Sequence, residues 1–316
     1  MYVQSMNGVL DEFKAQVEYA PPLDADKIIT WQDCVGSNAK LVEMSRKFFR
    51  KPVITVQHGR RASRDYDAPL NRPFNSDLFL AWGKWDYDNM KRMGKPVEIV
   101  GCPLNAWIKP KVAHKEKVIL FVPVNTGKEE PDNIRVYAEL MKIKLGKVQE
   151  GLTNNYDKLR DQWNSENITR LSLSDNFTIL TKCLPWHDQK FYTEGVVKGF
   201  QDSKRNNQVV FDLMRNVDLV VGLDEGTTEL FAVAHDVPVI VVDGFEYRWA
   251  EGCKVKPPVT PGMKHCKLED LAKEVEHALA HPEDLRAERR ALAENEMSID
   301  SIPYPVEKLH EIIRSH

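Results

Sequence analysis

A chain of 316 residues with 42% hydrophobic and 29% charged side chains is long enough for two ordinary globular domains and a sizeable core. Its formal net charge of −3 lacks the basic excess of a general nucleic-acid-binding domain. Its five cysteines, Cys34, Cys102, Cys183, Cys253 and Cys266, are odd in number, widely spaced and form no C-x-x-C pair, which argues against a disulfide framework and a cysteine zinc site and fits free thiols in a reducing cytoplasm.

In chain order, the N-terminal MYVQSMNGVLDEFK carries acidic residues and no long apolar run, so it does not read as a signal peptide. No stretch approaches the ~18 apolar residues of a membrane span, and no integral membrane segment is expected. Short continuous apolar runs then mark strands at 27–31, 52–56, 78–82 and 97–100. A second group lies at 118–122, 177–181, 209–210, 219–221 and 239–242. Continuous β-branched runs, rather than alternating ones, suit strands buried on both faces of a parallel sheet.

Helical patterns lie between the strands, at 37–49, 86–93, 134–145, 227–234 and 268–280, with Gly146 placed as a C-cap glycine. Residues 146–176 are polar and weakly periodic and read as helix plus loop. Two more helices close the chain, at 282–295 and 306–315. Strand–helix–strand alternation of this kind predicts an α/β fold with parallel sheets. The proline- and charge-rich stretch 103–117 reads as a linker, dividing the chain into domains 1–110 and 111–316.

Ligands in open α/β sheets bind outside the carboxyl ends of strands, so the residues following each strand carry the functional reading. After 52–56 comes Gln57–His58–Gly59, then Arg60 and Arg61. A histidine there is placed to take a proton near neutral pH, and a glycine admits close approach of a ligand; a structural turn histidine is the plain alternative. After 118–122, Asn125, Thr126 and Gly127 form a small polar turn, which also suits an ordinary connection. After 177–181, Lys182 is a candidate to neutralise a phosphate, with a solvated lysine as the alternative.

After 219–221, Asp224, Glu225, Gly226, Thr227, Thr228 and Glu229 open a helix. Backbone N–H groups and the dipole at such an N-terminus suit a diphosphate. Two acids beside phosphates would repel them, so Glu225 and Glu229 are expected on ribose hydroxyls, a base or a metal; a simple helix cap is the alternative. No P-loop, G-x-G-x-x-G or H-E-x-x-H pattern is present, and no bound metal or cofactor is expected.

Taken together, Gln57–His58–Gly59, the run 77–83 (DLFLAWG) and the run 97–103 (VEIVGCP) resemble a recurring motif order of the CDP-glycerol glycerophosphotransferase and capsule-polysaccharide transferase group. The run 181–185 (TKCLP) resembles that group's K-x-H-P strand end, and 224–227 its D-x-S-S helix, with Pro238 fourteen residues after Asp224. The resemblance covers roughly residues 27–110 and 177–245. It implies a GT-B fold, two Rossmann-like domains with parallel sheets facing across a cleft, the nucleotide held mainly by the C-terminal one. The family histidine is Leu184 here, the two serines are Gly226 and Thr227, and the acid further along the family helix is Phe231.

The resemblance implies a glycosyltransferase with a nucleotide-diphosphate-sugar co-substrate, UDP-linked for example. His58 and Asp224 are then the candidate catalytic residues. Asn125, Thr126, Gly127, Lys182, Glu225, Gly226, Thr227, Thr228 and Glu229 would bind the donor, and Gly59, Arg60 and Arg61 would contact acceptor or phosphate. The acceptor is left open between a polysaccharide, a small molecule and a hydroxymethylated DNA base. For the last, the basic residues Arg46, Lys47, Arg50, Lys51, Arg60, Arg61, Arg64 and Arg72 are suggestive and the net charge is not. A nucleotide-sugar 2-epimerase-like enzyme and a CDP-glycerol glycerophosphotransferase are the alternatives.

Overall fold

The computed structural model describes residues 26–30, 42, 50–60, 76–112, 117–123, 130–145, 177–182, 206–243, 247–250, 253–255 and 259–316. The first half builds β1 (Ile28–Thr30), β2 (Val53–Val56), β3 (Leu78–Ala81), α1 (Lys84–Arg92) and β4 (Val97–Ile99). These strands form one sheet in the order β1-β2-β3-β4, every pair parallel. Every residue of β3 is buried, as its unbroken apolar run predicts. A single 3₁₀ turn at Pro103–Trp107 lies in the stretch read as a linker.

The second half builds β5 (Lys117–Val122), α2 (Glu130–Leu145), β6 (Phe177–Thr181), α3 (Asn206–Leu213), β7 (Leu219–Gly222), α4 (Thr227–Ala234) and β8 (Val239–Asp243). A short antiparallel pair follows, β9 (Tyr247–Ala250) with β10 (Cys253–Val255), then β11 (Lys264–Lys267), α5 (Leu271–Ala280), α6 (Arg286–Met297) and α7 (Pro305–Ser315). The main sheet runs β11-β8-β7-β5-β6, all parallel. The strand order reverses about β5, since the chain goes first to β6 on one side and then to β7 on the other. That reversal opens a crevice at the carboxyl ends of β5 and β7, the kind of place where α/β sheets bind ligands.

Alternate residues of the strands feed two cores. Ile119, Phe121, Leu219, Val221 and Ile240 pack against α2 and α5 through Tyr137, Leu140, Leu271 and Val275. Leu120, Val220, Val239 and Val241 pack against α3, α4 and α6 through Phe211, Leu230, Phe231 and Ala293. The second core also takes in Trp82 and Cys102 from the first half, so the two sheets share apolar contact. The last helix turns back: Ile312, with Leu309 and Ile313, packs on Ile54, Leu78, Leu80 and Val100 of the first sheet.

Two aspartates play matching roles at the strand starts. Asp77 Oδ2 accepts from the Val53 N–H at 2.8 Å, and Asp218 Oδ2 from the Val118 N–H at 2.8 Å. Each lies just before a strand and accepts from an amide at the start of its neighbour, Val53 opening β2 and Val118 second in β5.

The expected strand at 209–210 is instead part of α3, where Val210 and Phe211 face the core, as does Met214 in the 3₁₀ turn that follows. Two apolar residues are too few to separate strand from helix. The helix expected at 282–295 begins only at Arg286, behind a turn. Of the expected helix at 37–49, Val42 alone is described; it is helical and fully buried with Ile28 and Val53. The segment 146–176 lies outside the described residues. Among those described, no helix is long and apolar enough to cross a membrane.

Candidate active site at the junction of the two sheets

β2 ends in the Gln57–His58–Gly59 turn, which Gln57 holds in place. Its side-chain amide donates to Gly59 O at 3.0 Å and to Asp86 Oδ2 at 2.8 Å. Its Oε1 accepts from the Trp82 N–H at 2.7 Å. Gln57 thereby ties its own turn to the Trp82–Gly83 turn after β3, a structural task that explains why the two motifs occur together. His58, between buried Gln57 and buried Gly59, is exposed.

β7 ends in Asp224–Glu225–Gly226, and α4 starts at Thr227. Asp224 Oδ1 accepts from the Glu225 N–H at 2.8 Å. The Gly226 N–H is taken by Glu229 Oε2 at 3.1 Å, half of a capping box. Glu229 is 2% exposed. Its other oxygen lies where a side chain on Gly222 would be: an added Cβ there would sit 2.5 Å from Glu229 Oε1. Gly222 is therefore the residue that admits the buried carboxylate.

Lys182 continues the β6 ladder, its N–H donating to Phe121 O at 2.9 Å, and sends its ammonium to Thr228 Oγ1 at 2.5 Å. Burial pulls this ammonium below its ordinary value, against the opposing pull of the Glu229 carboxylate. Burial likewise pushes the Glu229 carboxyl up to about 7, Lys182 opposing the rise and Asp224 adding to it.

The two turns meet. The Arg60 N–H donates to Thr227 Oγ1 at 2.9 Å, and an added Cβ on Gly59 would sit 2.7 Å from that same oxygen. A few residues away, an added Cβ on Gly83 would sit 2.4–2.8 Å from the backbone of Asn295 and Glu296. Both glycines serve close backbone approach between the halves. Trp82 stacks on Phe231 beside them, ring centroids 6.5 Å apart.

The structure thus brings Gly59 and Arg60 onto Thr227, and Lys182 onto Thr228 beside Glu229. Asn125, Thr126, Gly127 and Arg61 lie outside the described residues, as do Arg46, Lys47, Arg64 and Arg72. Two expectations change. The Arg60 guanidinium faces protein carboxylates, Glu296 at 2.6 Å and Glu225 at 3.0 Å, rather than an open phosphate site. Glu225 and Glu229, expected on ribose, base or metal, are turned into the protein. Glu225 binds Arg60, Thr260 and His265, and Glu229 binds its own helix start. The physical reason is burial: a carboxylate 2–3% exposed needs donors from the protein itself.

The sequence reading missed Thr260, His265 and Glu296. They lie on no motif, and their contacts to the cleft span 35 to 236 residues of chain.

No protein-family model matches the chain, and no curated protein matches it in sequence. Among solved structures it is similar to a variant of the wall teichoic acid polymerase TagF soaked with CDPG. The identity is 11% and the TM-score 0.50, over 84% of this chain and 68% of that one. It is also similar to Anabaena HepE in complex with UDP and glucose, at 12% identity and a TM-score of 0.48, over 100% of this chain and 84% of that one. A third is the GtfA/B complex, at 12% identity and a TM-score of 0.45, over 99% and 62%. Likeness at such identities is likeness of fold. It agrees with the two parallel sheets described above, and the fold is the α/β GT-B arrangement that the motif order implies.

Proposed function

We propose that the chain is a glycosyltransferase-type enzyme, taking a nucleotide-diphosphate-linked donor in the crevice at β5 and β7 and passing its sugar to an acceptor hydroxyl. One observation carries this reading. An exposed histidine at the end of a strand in one sheet stands beside a turn in contact with a helix N-terminus at the switch point of the other. The N-terminus of α4, the hydroxyls of Thr227 and Thr228 and the Lys182 ammonium supply donors and positive potential for a diphosphate. Residues 1–110 form the acceptor side and 111–316 the donor side, apart from the last helix, which packs on the first sheet.

In this reading His58 takes the proton from the acceptor hydroxyl as its oxygen attacks the anomeric carbon. The bond from that carbon to the diphosphate breaks, and the diphosphate leaves with the electron pair. Lys182 and the α4 amides stabilise the charge that develops there, a contribution that is large in a site excluding water. No metal is required by this scheme. Asp224, half-buried at the mouth of the helix with its Oδ1 accepting from the Glu225 N–H at 2.8 Å, is the candidate carboxylate beside the donor in this reading. A cytoplasmic setting belongs to the same reading, and the buried, unbridged thiols of Cys102 and Cys266 accord with it.

The inward turn of Glu225 and Glu229 disfavours the epimerase alternative, which needs a pair of carboxylates at the sugar. A CDP-glycerol donor would use the same helix start, and the choice of donor separates the two transferases. The acceptor is a polysaccharide, a small molecule or a modified DNA base. The test is to incubate the chain with UDP- and CDP-linked sugars and CDP-glycerol, with and without acceptor hydroxyl compounds, and follow nucleotide release. The reading expects release that depends on acceptor, falling about 10²–10⁴-fold in His58→Ala while nucleotide binding persists. Conversion of the donor without any acceptor would contradict it.

A further inference from the structure

Arg60 is a polar joint between the two halves, alongside their apolar contacts. A guanidinium has five N–H donors, and each of these has an acceptor. Nε donates to Glu296 Oε2 at 2.6 Å, and the two terminal nitrogens donate to Glu225 O at 3.1 Å, Glu225 Oε2 at 3.0 Å, Thr260 Oγ1 at 3.3 Å and Glu296 Oε1 at 2.7 Å. The Arg60 side chain is 6% exposed, and its carboxylate partners 2% and 4%. A guanidinium so satisfied has no donor left for a ligand.

Glu225 is itself held from behind. Thr260 gives it both its N–H, at 3.1 Å, and its hydroxyl. His265 Nε2 lies 2.8 Å from Glu225 Oε1, and His265 Nδ1 lies 3.0 Å from Asp243 Oδ1. An ionised carboxylate only accepts, so both ring nitrogens must donate, and the ring in this geometry is the doubly protonated imidazolium.

We infer that Arg60 is a positioning residue, the centre of a proton-dependent clasp that fixes the His58–Gly59 turn across the start of α4, with protonated His265 as its anchor. It rests on the proposed function only in naming what is positioned; the clasp itself is a matter of how the two halves are joined. Its balance of charge depends on the ring. With His265 protonated, two cations face the three carboxylates of Glu225, Glu296 and Asp243. Without that proton, one cation faces three, and either Glu225 or Asp243 loses its donor. Among the described residues the charged groups in contact with the ring are Glu225 and Asp243; the neighbouring Lys264 reaches Glu274 instead.

The shifts agree in direction. Burial pushes the His265 ring down, but Glu225 and Asp243 more than offset it and raise it above 6.5. Burial pushes Glu225 up, and His265, Arg60 and Thr260 hold it below its ordinary value. Burial works against the Arg60 charge, and Glu296 and Glu225 restore it. A raised histidine gives a contribution fully present below 6.5 and lost as pH rises through its folded value.

Amide hydrogen exchange on the full chain without ligand, corrected for the intrinsic rate, tests this, with Glu229→Gln in every protein compared so that the buried Glu229 carboxyl adds no titration of its own. At about pH 6 the segment 54–60 should be protected, and toward about pH 9 its exchange should quicken at least ~10-fold. Arg60→Met should remove the protection at both ends of the range. His265→Gln should remove the pH dependence. The β5 segment 118–122 should change in none of them. Equal protection of 54–60 in wild type and Arg60→Met, or a pH dependence that survives His265→Gln, would overturn the clasp. Should Arg60→Met fail to fold, exposing 118–122 as well, the wild-type series against His265→Gln decides alone. None of these readings needs nucleotide, so failure of the clasp and failure of the proposed function are separate results.

Discussion

Gly59 follows a strand of the first sheet and Thr227 opens a helix packed on the second, yet a Cβ on Gly59 would lie 2.7 Å from Thr227 Oγ1. The contact joins the turn that carries His58 to the first residue of α4, and it leaves no room for a side chain. Gly59→Ala is therefore expected to destabilise the fold by about 1–3 kcal/mol through overpacking. Thr227→Ala in the same chain should relieve the steric part. A double-mutant cycle by urea unfolding should then show coupling between the two sites. Strict additivity would mean that the two turns do not meet in solution.

The buried carboxyl of Glu229 makes stability depend on pH in a stated direction. Its folded value is raised from 4.5 to about 7, so the native state binds the extra proton in that interval. Its contribution is present below 4.5 and is lost as pH rises through about 7. The urea midpoint should thus carry a component that declines across this window, and Glu229→Gln, which keeps an acceptor for the Gly226 N–H, should remove it. An unchanged profile in Glu229→Gln would place the titration elsewhere.

Arg289 is 2% exposed; it holds α6 to the α4–β8 turn through Asp236 Oδ1 at 2.7 Å and to the turn before its own helix through Pro282 O at 2.7 Å. Arg289→Ala takes these hydrogen bonds away and opens a void, although half-exposed Asp236 keeps Arg286 as a partner, and should cost about 1–3 kcal/mol. Chemical denaturation measures it. A cost near zero would mean that water reaches these groups freely.

Gln57, 3% exposed, is bonded to Gly59, Asp86 and Trp82, so Gln57→Ala should cost about 1–3 kcal/mol by orphaning the Trp82 N–H and taking one donor from the Asp86 carboxylate. Tryptophan emission and unfolding together report it. Stability equal to wild type would show that the motif glutamine has no structural task.

Much of the sheet architecture is legible from local pattern. The apolar runs around Leu78–Ala81, Leu219–Gly222 and Val239–Asp243 can only be strands covered on both sides, and Thr227–Ala234 begins and ends where its flanking residues say. The edge strand Lys264–Lys267 escapes notice because only Cys266 is buried in it, leaving no apolar run to read. The return of Pro305–Ser315 to the first sheet is equally silent, since its amphipathic pattern says that a face is covered and not by what.

The strand-end turns were legible as a place, because parallel topology fixes where ligands go. The inward turn of Glu225 and Glu229 was not. Glu225 is set by Thr260 and His265, 35 and 40 residues away, and by Arg60, 165 residues away. Composition told only that an acid beside a phosphate needs a partner, and the fold supplied one from within the protein.

The central claim, a nucleotide diphosphate held at the start of α4 by Lys182, is tested most directly by calorimetric titration of UDP, CDP, GDP and ADP into wild type and Lys182→Met. Lys182 is half-buried and its ammonium is disfavoured by desolvation, so an apolar replacement should leave the fold intact. The account predicts that one nucleotide binds wild type, and at about 100 times its Kd raises native stability by about 2.7 kcal/mol. It predicts that Lys182→Met folds but loses that binding by about tenfold or more. Equal affinity in the folded variant, or no nucleotide bound by wild type, would contradict the account.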